Sequence, residues 1–179
     1  KWSAEINKWT APFVMAGINT RVVRRSNAVM GYAYGEDFSY SEVVAMKKGL
    51  KGWATAQGLT LGLGAFVGLA VMGWTRSLLQ ATVLPAPGEG PSPEAQEQGF
   101  FRIRLVGQRD GERLDVLVNG KRDPGYGATS RMLTEAALCL ALEPDSLPDR
   151  AGVLTPASAL GEPYLSRLAR ADVTFQLQP

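Results

Sequence analysis

The residues best suited to chemistry in this sequence are Asp123-Pro-Gly-Tyr-Gly-Ala-Thr129. A glycine-rich turn running into a helix N-terminus leaves backbone amides that favour an anion or a polarised carbonyl, and a tyrosine placed there can donate a proton. Tyr126 is therefore the candidate catalytic residue, with Asp123, Gly125 and Thr129 as candidate contacts to substrate or cofactor. The same segment also reads as plain turn chemistry, since Asp-Pro-Gly is a common turn tripeptide. A second cluster, Arg21, Arg24 and Arg25, flanked by Asn19 and Asn27, offers guanidinium forks that match phosphate or carboxylate oxygens bidentately. Its alternative reading is a solvated basic face or a set of internal ion pairs.

Other chemistry is excluded by what is missing. The 179 residues contain no histidine and one cysteine, which removes Ser/His/Asp and Cys/His triads, internal disulfides and multi-cysteine metal sites. No metal is expected. Cys139 lies in the apolar "LTEAALCLAL" and reads as a small buried hydrophobe. A net charge of +2 is too small to imply a nucleic-acid surface. The lone cysteine fits a reducing, cytoplasmic setting. The sequence opens at Lys1 without an initiator methionine or a signal-like pattern, and is expected to be the interior of a longer protein.

The elements that must position these residues can be read from periodicity and caps. One domain over residues 1–179 is the expectation from length. The first section suggests short strands or strand-to-helix joints. Ser39-Tyr-Ser-Glu42 has the form of a capping box, predicting a helix that ends at Lys47, Lys48 and Gly49. Residues 51–84 read as one long apolar helix stopped by Pro85, and residues 85–99 as a Pro/Gly-rich linker with a short helix between Ser92 and Gly99. Residues 100–179 read as a hairpin plus helices. "FFRIRLVGQ" and "RLDVLVNG" alternate around Asp110-Gly111, the strongest hairpin signal. A helix over about 128–142 should lay Met132, Leu133, Ala136, Ala137, Leu140 and Ala141 on the sheet. "GVL" at 152–154 reads as a strand, Thr155-Pro156 as the cap of a helix to about Arg170, and "VTFQL" as a closing strand. The class is α+β, a mixed and largely antiparallel sheet covered by helices.

Trp53 to Trp74, "WATAQGLTLGLGAFVGLAVMGW", is uncharged and bounded by tryptophans. Its length would span the ~30 Å core of a bilayer, which takes about 20 residues. Ala54, Gly58, Gly62 and Ala65 form a small-residue stripe that lets another backbone approach. Burial in the subunit or a dimer, insertion at a lipid surface, and a true span all remain open. Lys47, Lys48 and Lys51 would suit anionic headgroups.

Four ordered segments carry a resemblance: "WTAPFVMAGINTRVVRRSNAVMGYAYG", "LPAPGEGPS", "DPGYGATSRMLTEAALCLA" and "GVLTPASALG". Together they resemble the C-terminal half of saccharopine-dehydrogenase-like oxidoreductases, in the branch of trans-acting enoyl reductases serving lipid polyketide synthesis. The resemblance implies an NAD(P)-dependent reductase whose N-terminal Rossmann domain is followed by a domain for substrate and homodimer contacts. It also favours site roles for Tyr126 and Thr129. The dinucleotide fingerprint G-x-G-x-x-G after a strand is missing. Gly62, Gly64 and Gly68 give a spacing one residue too wide, inside a helix-like run, with no acid in the next twenty positions. The expectation is that NAD(P) belongs to a longer parent chain, that no cofactor binds this chain alone, and that this chain alone does not turn over substrate. A non-catalytic lipid- or membrane-associated binding domain, peripheral to the membrane, is the alternative from a different class.

Overall fold

The computed structural model describes residues 1–75, 77 and 88–178. They fall into two units, Lys1–Arg24 with Gly35–Gly90, and Arg25–Tyr34 with Pro91–Pro179, where the sequence led us to expect one domain. The class is α+β, with two three-stranded antiparallel sheets rather than one mixed sheet.

In the first unit, β1 (Trp2–Ser3), β2 (Lys8–Pro12) and β3 (Val43–Ala45) form a small sheet in that order. Trp2 pairs with Trp9 across it, their rings edge to face at 5.4 Å. The helix expected after Ser39 is absent. β-Branched Val43 and Val44 pair instead with Pro12 and Ala11, because an open strand edge rewards extended valines more than an isolated capping box rewards a helix. Lys47 and Lys48 accordingly precede a helix, and Gly49 opens it, instead of the three ending one. Helix α1 (Ala16–Val29) carries the "RVVRR" segment, begins in this unit and ends in the other.

Helix α2 (Gly49–Val71) is the long apolar helix. It ends at Val71, with Met72 extended, and the expected end at 84 lies outside the described residues. The predicted stop at Pro85 lies outside the described residues. The helix packs on β2, and of its residues only Gly52 and Ala56 are buried. Gly52 is obligatory: a Cβ there would sit 1.7 Å from the Lys47 carbonyl oxygen.

In the second unit, α3 (Pro93–Gln98) has the predicted caps, Ser92 accepting from the Ala95 amide and Gly99 following. β4 (Phe100–Arg109) and β5 (Glu112–Lys121) form the predicted hairpin. Asp110 and Gly111 both take positive φ, 52° and 84°, the combination a tight two-residue turn requires. β6 (Val173–Gln178) pairs antiparallel with β5. The core gathers Val118, Leu168 and Val173 with Phe101, Val116, Met132 and Tyr164. Gly120 leaves room for the Phe101 ring, which would lie 2.0 Å from an added Cβ.

Helix α4 (Gly127–Leu142) packs against α5 (Pro156–Leu168). Its inward positions include Ala128, Met132, Glu135, Ala136 and Cys139, while Leu133 and Leu140 face outward, 70% and 55% exposed. The apolar face is thus rotated from the predicted one, because Glu135 has an internal ion-pair partner and turns inward despite its charge. The cap of α5 is as predicted, Thr155 and Ser158 forming a reciprocal box, and Gly161 at φ 56° with Pro163 breaks the helix midway. Residues 152–154 form no strand. Val153 is 83% exposed and gives its carbonyl to Arg25 instead of to a ladder.

Candidate functional site

The turn before α4 brings four predicted site residues together. β5 ends at Lys121, and Arg122 at φ 73° turns the chain. The Asp123 amide then donates to the Gln96 carbonyl at 2.9 Å, so α3 sits directly on the turn. Gly99 permits this approach, since a Cβ there would lie 2.4 Å from the Asp123 nitrogen. Asp123 Oδ2 accepts from the Tyr126 amide at 2.7 Å, the Asp123 carbonyl accepts from the Ala128 amide at 2.8 Å, and Thr129 Oγ1 donates to the Pro124 carbonyl at 2.6 Å. An added Cβ on Gly125 would stand 3.3 Å from Asp123 Oδ2.

This geometry divides the roles. The Asp123 carboxylate itself occupies the positive end of α4, the place where an external anion would bind. Asp123, Gly125 and Thr129 hold the turn. Tyr126 is 56% exposed, and its hydroxyl bonds to none of the described residues.

The arginine cluster lies on α1, where the i, i+3, i+4 spacing of Arg21, Arg24 and Arg25 places all three on one helix face. That spacing was present in the sequence and is a helical signal that the β-branched neighbours masked. All three are exposed, and among the described residues no carboxylate pairs with them. Arg24 Nε donates to the Thr20 carbonyl at 3.3 Å, and Arg25 Nη2 to the Val153 carbonyl at 2.8 Å. Asn19 Nδ2 donates to Glu42 Oε2 at 2.9 Å, while Tyr40 donates to Glu42 Oε1 at 2.8 Å. Burial, and then the Glu42 carboxylate, push the Tyr40 phenol up to about 12. Asn19, Arg21 and Arg24 belong to the first unit; Arg25, Asp123, Gly125, Tyr126 and Thr129 belong to the second.

Beside Thr129, a shallow polar groove of about 250 Å³ is lined by Ser130, Arg131, Thr134, Glu135, Arg170 and Ala171. Sequence reasoning missed it, although the i, i+4 step from Arg131 to Glu135 puts both on one side of α4. Glu135 also holds Arg167, which is 5% exposed and bonds Glu135 and Glu143 at 2.8 Å each. Hydrogen bonding to Glu135, then to Glu143, holds the Arg167 guanidinium more firmly protonated. Burial first, and Glu143 next, push the Cys139 thiol up, which makes it a poor nucleophile.

Among the described residues no cluster of three potential metal ligands occurs. Gly62, Gly64 and Gly68 are all within α2, so this glycine run forms no strand-to-helix loop and does not fit a dinucleotide phosphate.

Fold and site together describe an α+β chain with a tyrosine displayed at a helix start and no dinucleotide loop among its described residues. The chain is similar to part of the mycobacterial trans-acting enoyl reductases. It is 43% identical, over 94% of its length, to 41% of a Mycobacterium tuberculosis protein whose name assigns it that activity provisionally. It is 38% identical to the trans-acting enoyl reductase of Mycobacterium bovis, covering 93% of this chain and 40% of that protein. The Mycobacterium ulcerans trans-acting enoyl reductase is 34% identical, with 92% and 40% covered. The chain thus spans about two fifths of the length of these curated relatives. No protein-family model and no solved structure matches it.

Proposed function

We propose that this chain is the C-terminal, substrate-binding and dimerisation part of an NAD(P)-dependent enoyl reductase of the saccharopine-dehydrogenase-like kind, acting on a lipid-like acyl or polyketide substrate. The observation that carries the reading is the similarity to trans-acting enoyl reductases over 92–94% of the chain. The nicotinamide would supply hydride, and its binding loop would belong to the longer protein, because the glycines present here are helical. Within this chain, Tyr126 is the residue proposed to hold a proton at its hydroxyl for the substrate. The exposed guanidinium groups of Arg21, Arg24 and Arg25 are proposed to bind phosphate or carboxylate oxygens of the substrate or cofactor, while Asn19 stands on the opposite side of α1 and gives its amide to Glu42. Asp123, Gly125 and Thr129 are proposed to act by shaping the turn that presents Tyr126.

The test is an NADPH-consumption assay with an enoyl thioester, run on this chain and on a protein carrying a dinucleotide-binding domain ahead of Lys1. Turnover by the longer protein, and neither turnover nor NADPH binding by this chain, is expected. Tight NADPH binding by this chain alone contradicts the reading. The bare surface of α2 favours a second reading, a non-catalytic lipid-associated domain. No turnover by the longer protein would select it.

A further inference from the structure

The surface of α2 is apolar, and the site does not use it. Twenty-three helical residues run from Gly49 to Val71, about 34 Å at 1.5 Å per residue, and 6% of the most apolar window is buried. Leu59, Leu61, Val67, Leu69 and Val71 are 41%, 72%, 53%, 42% and 82% exposed. At 100° per residue these side chains point to every side of the helix, not to one seam. A single partner helix docked on Ala54, Gly58, Gly62 and Ala65 would cover one side and leave most of them in water. A surrounding apolar medium covers them all.

Charge says which medium. Lys47, Lys48 and Lys51 stand at the N-terminal end of α2, where the helix dipole disfavours cations, and the first turn holds no acid. Among the described residues none of the three has an ion-pair partner, and all are exposed. An anionic surface at the mouth of an apolar phase satisfies both features at once.

Topology limits how the helix enters. Residues 25–34 precede α2 and residues 91–178 follow it, yet both lie in the second unit, joined by the 2.7 Å bond between the Ser26 and Thr155 hydroxyls. One crossing by α2 would part them. A return crossing between Met72 and Gly90 would have to carry Arg76, Gln80, Pro85, Pro87 and Glu89 in fewer than the about 20 apolar residues a span needs. We propose that α2 lodges in one leaflet of an anionic bilayer without crossing it, with Lys47, Lys48 and Lys51 at the headgroups. The inference stands independently of the proposed reductase role.

Flotation of the full 179-residue chain with sealed vesicles tests it, using phosphatidylcholine alone and phosphatidylcholine mixed with phosphatidylglycerol. Flotation with the mixed vesicles, reduced by salt, is expected. The Lys47→Gln, Lys48→Gln, Lys51→Gln variant should partition about a hundredfold more weakly, at roughly fivefold per lysine. Leu61→Gln with Val71→Gln should also weaken it, with unchanged circular dichroism because both side chains are exposed. Trypsin added outside should cut both units. No flotation, or flotation indifferent to the lysines, overturns the proposal. So does protection of either unit inside the vesicle, or a vesicle-free dimer that Leu61→Gln dissociates, which would make a second copy the occupant.

Discussion

Helices α2 and α4 are both rich in alanine and leucine, and they end in opposite environments. In α4, Ser130, Arg131 and Thr134 break the apolar circumference, so one side is left to pack, and Ala128 and Cys139 reach 0% exposure. In α2 no polar side exists between Leu61 and Val71, and burial stops at Gly52 and Ala56. A periodic apolar pattern therefore finishes its packing within its own unit, whereas a uniform one needs a surrounding apolar phase. The glycines sharpen the contrast. Gly52 is held by contact, while an added Cβ at Gly58, Gly62, Gly64 or Gly68 would meet nothing within 4 Å.

Substitutions that probe this contrast rank by expected size. Gly52→Ala drives a Cβ into the Lys47 carbonyl, and should destabilise the first unit by about 3 kcal/mol, at the upper end of overpacking costs. Urea unfolding followed by circular dichroism would check it. In the second unit, Gly120→Ala meets the Phe101 ring and should cost about 2 kcal/mol, because a side chain can yield more than a backbone. Gly62→Ala reverses the sign: with open space around it, the added methyl should stabilise the helix by about 0.5–1 kcal/mol. An equal loss at Gly52 and Gly62 would erase the distinction between anchored and bare helix turns.

Much of this was legible in the sequence where local chemistry is decisive. The Asp110-Gly111 hairpin, the Ser92 and Thr155 caps and the start of α4 depend on neighbours in the chain, and they formed as read. What was not legible depends on distant partners. Val43 and Val44 became a strand because β2 offered an edge, and Glu135 turned into α4's packed side because Arg167 waits there. The site shows the same division. Asp123 to Thr129 gathered in one turn as their spacing implied, but only the structure shows the Asp123 carboxylate occupying its own helix end.

The smallest effects concern protons. Tyr40 should titrate near 12 by its ultraviolet absorbance. Because its folded pKa is raised above the ordinary value near 10, its contribution to stability is complete below about pH 10 and fades as pH rises toward 12. Tyr40→Phe should remove that alkaline dependence from the first unit. Tyr126→Phe, by contrast, should leave melting unchanged, since its hydroxyl bonds none of the described residues, while lowering turnover of the longer protein about a hundredfold or more.

Hydrogen exchange tests the central contrast most directly, read along α2 and α4 in buffer and again with phosphatidylglycerol-containing vesicles. The amides around Cys139 should be protected in both conditions, and those from Leu59 to Val71 should gain protection only when the vesicles are present. Equal protection of the two helices in buffer, or no change in α2 on adding vesicles, would contradict the account.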